Sequence, residues 1–312
     1  MASVRGASLA PKRRAALLLA VLAAVLWAGW QVAGGRATPG VRLWLAPREA
    51  TPGQWIMVRV EGAKAHRLAG EWAGRSFPFY DDGAQGAVAL VAVSYFVQPG
   101  KHPLVVREDG KEVAAAEVPV RPRAFPVQRL RVDPGKEALI RPQDPADVAR
   151  RRREDEEVAR ARSRSNPRPL WQGPFVWPLA RPYRLTSEFG LVREVNGAPS
   201  GRHSGLDLAA PEGTPVHAPN GGRVVLARDH LATGKTVILD HGWGLFTSYL
   251  HLSSIRVREG TFVSKGEILG TVGATGFATG PHLHWAAYLP GGYVDPRSLM
   301  ERWPPESSSP GS

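Results

Sequence analysis

Hydrophobic and polar positions follow different rhythms along the 312-residue chain. The first apolar block is continuous: residues 15–33 are interrupted only by Gln31, and Lys12, Arg13 and Arg14 stand just before it. As a helix this run spans about 28 Å at ~1.5 Å per residue, close to the ~30 Å hydrocarbon core of a bilayer. Leading basic residues favour an N-terminus held in the cytoplasm and export of the remainder of the chain, and Trp27 and Trp30 suit an interfacial belt at the outer end. A cleaved signal peptide shares this layout, although no clean Ala-x-Ala site is present. Residues 1–36 are therefore read as a signal-anchor or signal-peptide helix.

A second rhythm runs from about 41 to 132. "VRLWLAP", "WIMVRVE", "AVALVAVSYF", "HPLVVRED" and "EVAAAEVPVRP" are short apolar or alternating runs, separated by "TPG", "DDG", "QPG" and "EDG". Short strands punctuated by turn residues predict an antiparallel, immunoglobulin-like β-sandwich over 40–133. No catalytic cluster falls here; His66 and His102 stand apart and read as surface or loop residues. Residues 134–169 then turn polar: in "PADVARRRREDEEVARARSRSNPRP" four arginines precede four acids and more arginines. Pairs such as Arg150 with Glu154 and Arg153 with Glu157 have i,i+4 spacing, which predicts a short solvated helix. The Pro-rich end reads as extended, so the segment is a charged, Pro-rich linker.

From 170 to 300 the β rhythm returns in "GRVVLAR", "KTVILDH", "LFTSYLHL" and "EILGTVG", bounded by Gly or Asn, with no long helical period. This predicts a second all-β domain, followed by a disordered tail at 301–312. The chain as a whole is all-β apart from the N-terminal helix and the linker.

Composition changes this picture in two respects. There are no cysteines, so disulfides and thiolate metal sites are excluded, and a bound metal needs His, Asp or Glu. The net charge of +12 raises the question of nucleic acid. From residue 167 onward, however, 13 Lys and Arg face 11 Asp and Glu, so the excess lies upstream. With no nucleic-acid motif present, the expected contacts are anionic envelope polymers and lipid headgroups, not nucleic acid.

Seven of the nine histidines lie in the last domain. "HSGLD" holds His203 and Asp207; "TSYLHLS" holds His251; "GPHLHW" holds His282 and His284. On a strand, residues i and i+2 face one side, so His282 and His284 can address one site. Gly205 permits a sharp path between His203 and Asp207. Two His and one Asp form a reasonable zinc set that leaves a fourth position for water. H-x-H or H-x-x-x-D alone is weak; the ordered combination is specific.

That combination resembles the M23 peptidases, the lysostaphin- and LytM-like cell-wall endopeptidases. The likeness covers about residues 177–296, through "TSEFGLVR", "HSGLDLAAPEGTPVHAPNGGRVV", "TVILDHGWGLFTSYLHLS" and "VSKGEILGTVGATGFATGPHLHW". The resemblance implies an antiparallel β-sheet or half-barrel domain with one Zn2+ ion. His203, Asp207 and His284 would be its ligands, and His251 and His282 the catalytic histidines. It implies a peptidoglycan substrate, a cell-envelope, extracytoplasmic (periplasmic-face) location reached through the N-terminal helix, and divisome or other envelope proteins as partners. One departure is visible: "EVNGAPSGR" lacks the Tyr that some members carry before the first zinc histidine, and Tyr249 is a residue near the site without an assigned role. His217 reads as a strand or turn residue, His230 as exposed, and His241 as a structural hydrogen-bonding residue. The alternative function is a non-catalytic regulator that binds peptidoglycan or activates another hydrolase. A biotinyl- or lipoyl-type carrier is set aside, because Lys235 and Lys265 lack the expected hairpin context. The first β domain is expected to position or gate the second.

Overall fold

The computed structural model of the protein describes residues 31–32, 35–83 and 86–300. The expected N-terminal helix and the tail at 301–312 fall outside these residues, except that Gln31–Val32 pairs as a short strand with Leu45 and Trp44. Among the described residues no helix is long and apolar enough to cross a membrane.

The first unit is two antiparallel five-stranded sheets. Arg42–Ala46, Trp55–Glu61 and Gly86–Ala92 form the centre of one; Leu68–Trp72, Gly100–Glu108 and Lys111–Val120 form the centre of the other. Alternation explains the packing between them. Leu43, Leu45, Ile56, Val58, Val60, Ala89 and Val91 meet Trp72, Leu104, Val106, Ala116 and Val118 in one core. The run "GAVALVA" does not alternate, because Gly86–Ala92 is buried throughout. Its other face, Val88, Leu90 and Ala92 beside Trp55 and Met57, packs on Leu245, Ala287, Leu289, Val294 and Leu299 of the second unit. A strand covered on both faces reads as a continuous apolar run.

The connecting segment, expected to be a charged linker with a short solvated helix and an extended Pro-rich end, carries two helices. It forms α1 (Pro134–Ile140) and α2 (Pro145–Arg162). Each begins Asp-Pro: Asp133 accepts from Lys136 N and Asp144 accepts from Ala146 N. A capping carboxylate followed by Pro at the first helical position is a strong helix start. Val127–Leu130, expected within the sandwich, pairs in parallel with Val192–Val195 and so belongs to the second unit. A four-residue run carries too little pattern to reveal which sheet it joins.

The second unit is built on an eight-stranded antiparallel sheet. Its relevant strands are β1 (Arg184–Ser187), β2 (Gly205–Ala209), β3 (Gly222–His230), β4 (Gly234–Gly242), β5 (Leu245–Leu252) and β6 (His282–Leu289). They lie in the order β1-β2-β6-β5-β4-β3. One face buries Leu206, Leu208, Leu239, Tyr249, Leu283 and Trp285. The opposite face carries Asp207, His282 and His284.

Candidate metal centre

In β2 the sequence Leu206-Asp207-Leu208 alternates, and both leucines are fully buried in the core. Asp207 therefore projects to the other face. In β6, Leu283 and Trp285 are likewise core residues with zero exposure, which turns His282 and His284 outward. Asp207 and His284 are direct cross-strand partners, and Ala209 is opposite His282. Side chains so paired start about 5 Å apart at Cβ. His203 enters from the turn before β2, with its main-chain N–H on Leu191 O and its carbonyl oxygen accepting from Gly190 N.

Three atoms converge. His203 Nε2 lies 2.9 Å from Asp207 Oδ1, His284 Nδ1 lies 2.9 Å from the same oxygen, and the two nitrogens are 3.0 Å apart. All three residues are buried, and they form the one candidate metal-holding group among the described residues. A tetrahedral site with bonds of 2.0–2.1 Å has edges of about 3.3 Å between ligand atoms. The triangle, with edges of 2.9, 2.9 and 3.0 Å, is slightly tighter than that. Protons alone do not satisfy it. His203 Nδ1–H donates to the Glu188 carbonyl oxygen at 2.7 Å, leaving a lone pair on Nε2. That lone pair faces a carboxylate oxygen, and the single Nδ1–H of a neutral His284 cannot serve every edge. A cation at the centre satisfies all three donors at once. His284 Nε2 then donates to Ser204 Oγ, 3.3 Å away, so each ligating imidazole has a partner for its other nitrogen.

Charge supports the same state. Burial pushes the His284 pKa down to about 4, against the pull of Asp207. Burial acts to raise Asp207, but its bonds to His203 and His284 outweigh this and hold the carboxyl well below its usual range. Neutral imidazole and ionised carboxylate are the forms that bind metal.

His251 reaches the site by a different route. Strand parity would put it on the core face with Tyr249. Instead β5 carries an extra residue at this point, where Lys235 and Val237 of β4 face Leu252 and Tyr249. His251 adopts a left-handed φ of 64°. Such a bulge re-aims a side chain, and a non-glycine residue in this region costs of order 1–3 kcal/mol. The ring ends 4.9 Å from that of His282 and 6.1 Å from that of His284, centroid to centroid. His251 Nδ1–H donates to Thr275 O at 2.9 Å, and His282 Nδ1–H to Gly280 O at 2.8 Å. Both rings thus keep Nε2 as a base, and His282 Nε2 is 3.7 Å from Asp207 Oδ1. Burial first, then the neighbouring His282 and His284, lower the His251 pKa to about 3.

A cavity of about 410 Å³ opens on this centre, lined by Gln128, Arg193, Asp207, His251, Thr279 and His282. A second, of about 130 Å³, lies on the other side of His284 beneath α2, lined by Ser204, Ser248, Tyr293, Glu154, Val158 and Arg162. The register puts α2 on the metal-bearing face. His284 opposes Leu250, Ala286 opposes Ser248, Ser248 opposes Ile238, and Ile238 opposes Leu226. Val158 and Ala161 of α2 pack on Leu226, Ile238 and Phe246. Glu154 accepts from Leu231 N, and Arg162 donates to Tyr293 OH and Ser248 Oγ while stacking on Tyr288 at 4.5 Å.

The structure corrects two expectations around the centre, those for His230 and Tyr249, and keeps His241 as the structural hydrogen-bonding residue it was read as. His230 is buried, not exposed, and meets Glu157 of α2 at 3.2 Å. Tyr249 lies in the core and bonds Thr247 Oγ1 at 2.8 Å, on the face away from the metal site. Trp285 is core; Tyr288 packs edge-on with Tyr293. His241 donates to Gly221 O and accepts from Thr247 Oγ1. Sequence reasoning assigned nothing to Arg193, whose Nη2 bonds Asp207 Oδ2 at 2.7 Å. Its one signal was its position in "TSEFGLVR", a few residues after the glycine.

Comparison with known proteins agrees with this geometry. The profile of Peptidase family M23 matches residues 201–296. A solved structure from Pseudomonas aeruginosa, assigned to peptidase M23, superposes with a TM-score of 0.55 at 30% identity, covering 80% of this chain and 94% of that one. The chain belongs to peptidase family M23. The chain is also 43% identical over 138 residues to the peptidoglycan DD-endopeptidase ShyA of Vibrio cholerae, covering 43% of this chain and 31% of the relative. It is 43% identical over 97 residues to the DD-carboxypeptidase/endopeptidase Mpg of Neisseria meningitidis, covering 31% of this chain and 22% of the relative. The chain thus spans about a third or less of the length of these curated relatives. His203, Asp207, His251, His282 and His284 all lie inside the M23 match; Gln128, Arg193 and α2 lie outside it.

Proposed function

We propose that this chain is a zinc-dependent endopeptidase that hydrolyses peptide cross-links of peptidoglycan in the cell envelope. The observation that carries the reading is the convergence of His203 Nε2, Asp207 Oδ1 and His284 Nδ1, with the Nε2 bases of His251 and His282 beside it. The names of the Vibrio and Neisseria relatives support the substrate class. His203, Asp207 and His284 would hold the zinc, which when bound would supply Lewis-acid chemistry to polarise a peptide carbonyl and lower the pKa of water towards ~7. His203, fixed by Glu188 O, and His284, backed by Ser204, hold their lone pairs inward. His251 and His282 keep Nδ1–H on main-chain carbonyls, so each Nε2 takes a proton from the attacking water and returns one to the leaving amine. Protonated, the same Nε2–H groups donate to the developing oxyanion. Burial keeps His251 neutral in the resting site, its Nε2 unprotonated.

The remaining assignments belong to the same proposal. Residues 15–33 anchor the chain or direct its export, the first unit is an immunoglobulin-like sandwich, and the protein works on the outer face of the membrane with envelope proteins as neighbours. α2 gates one end of the substrate groove, because it lies on the metal-bearing face and is held there by separable polar contacts. The function is tested by digesting purified peptidoglycan and determining product masses: cross-linked fragments should fall to monomers in a zinc-dependent way. One zinc per chain without cleavage would transfer the assignment to the regulator reading.

A further inference from the structure

The Asp207 carboxylate has two oxygens, and only one faces the donor triangle. Oδ2 is held 2.7 Å from Arg193 Nη2, in an ion pair whose side chains are 19% and 9% exposed. Arg193 is in turn held by Gln128: its Nε donates to Gln128 Oε1 at 3.0 Å, and Gln128 Nε2 donates to Ser187 Oγ at 2.8 Å. Ser187 and Asp207 are cross-strand partners in β1 and β2, so the chain of contacts returns to the residue it started from. Gln128 sits on Val127–Leu130, the strand that joins in parallel to Val192–Val195, and it is the direct strand partner of Arg193. Register, and not chance side-chain reach, brings the two together.

We propose that Gln128 is a positioning residue of the metal centre: through Arg193 it fixes the Asp207 carboxylate so that Oδ1 alone faces the metal. This rests on the zinc reading of the site. A carboxylate free to rotate can present either oxygen or both, whereas one with Oδ2 engaged by a guanidinium is pre-set for a single bond. Arg193 also sets a positive charge against the Asp207 carboxylate and holds Oδ2 in place. A glutamine is suited to the task. Its amide oxygen accepts from Arg193 while its NH2 anchors on Ser187, and it adds no charge to a site that already balances Asp207 against Arg193. The consequence is that the metal centre is completed from outside the M23 match: residues 201–296 supply the ligands, and a strand some seventy residues earlier sets the geometry of one of them.

The test is zinc affinity of the full chain, measured by competition with a chromogenic chelator, for wild type, Gln128→Ala, Gln128→Glu and Arg193→Gln. Outer partners of metal ligands typically contribute 10–100-fold to affinity. Gln128→Ala should weaken zinc about 10-fold, and Arg193→Gln more. Gln128→Glu keeps an acceptor for Arg193 and should return affinity to within about threefold of wild type on the same scale. Thermal unfolding of the metal-free proteins should be closely similar for wild type and Gln128→Ala, since Gln128 is only half-buried at a groove wall. Wild-type affinity in Gln128→Ala, or equal losses in the Ala and Glu variants, overturns the positioning role. Absence of zinc binding by wild type overturns the metal reading itself, which is a separate outcome.

Discussion

Replacing His251 separates the two kinds of histidine in the site most sharply. In His251→Ala the donor triangle of His203, Asp207 and His284 is untouched, because the His251 ring shares no hydrogen bond with it and stands 6.1 Å from the His284 ring. Zinc content should remain one per chain. The variant loses a base whose tautomer is set by Thr275 O. A positioned acid–base group contributes 10²–10⁴-fold, so kcat should fall by that factor, equivalent to about 3–5 kcal/mol of barrier. The backbone adds no comparable penalty. The φ of 64° disfavours alanine and, less strongly, histidine, so most of the strain of the bulge is present before and after the change. Asparagine tolerates the left-handed region better, and His251→Asn serves as the folding control. The assay pairs zinc analysis with release of cross-linked fragments from purified peptidoglycan. Normal turnover in His251→Ala, or loss of zinc together with activity in both variants, refutes the division of labour.

Three further outcomes rest on the same contacts. His203→Ala removes a ligand fixed by both ring nitrogens, so zinc content and activity should vanish together; zinc retained at one per chain by metal analysis would contradict the ligand set. His241 is fully buried and its pKa is lowered to about 4, chiefly by burial. Between pH 6.5 and 4 the unfolded chain therefore binds a proton that the folded chain lacks, and stability falls as pH falls. At pH 4.5 this one group should remove about 2–3 kcal/mol relative to pH 7, a loss absent from His241→Gln; urea unfolding at both pH values checks it, and equal losses in the two proteins count against it. Glu154→Ala with Arg162→Ala breaks the latches of α2 on Leu231, Ser248 and Tyr293. If α2 gates the groove, cleavage rate should rise and α2 should become accessible to limited proteolysis, whereas an unchanged rate with α2 released sinks the gate.

Much of the site was legible because strand parity is a strong rule. Leu206-Asp207-Leu208 and His282-Leu283-His284-Trp285 each announce which side chains share a face, and both faces are where alternation puts them. Parity fails at His251, where a bulge and a left-handed φ re-aim the ring, and no residue type in "SYLHLS" announces a bulge. The burial of His230 was hidden because it depends on α2 docking, and a helix of six arginines and five acids reads as solvated when its partner surface is unknown. The partly buried Val158 and Ala161 are too few to signal an apolar face. Gln128 and Arg193 illustrate the remaining limit. Their meeting depends on a four-residue parallel strand reaching across the unit boundary, and short strands carry no record of their partners. The double-sided burial of Gly86–Ala92, by contrast, was visible as a continuous apolar run, although its second partner was not.

The central claim is that three buried donors and the two flanking histidines form a zinc peptidase site acting on peptidoglycan. Mass analysis of purified peptidoglycan after incubation with the full chain tests it most directly. The predicted result is conversion of cross-linked fragments into monomers, abolished by a chelator and restored by one equivalent of zinc. Unchanged cross-linking in the presence of a zinc-loaded chain would contradict it.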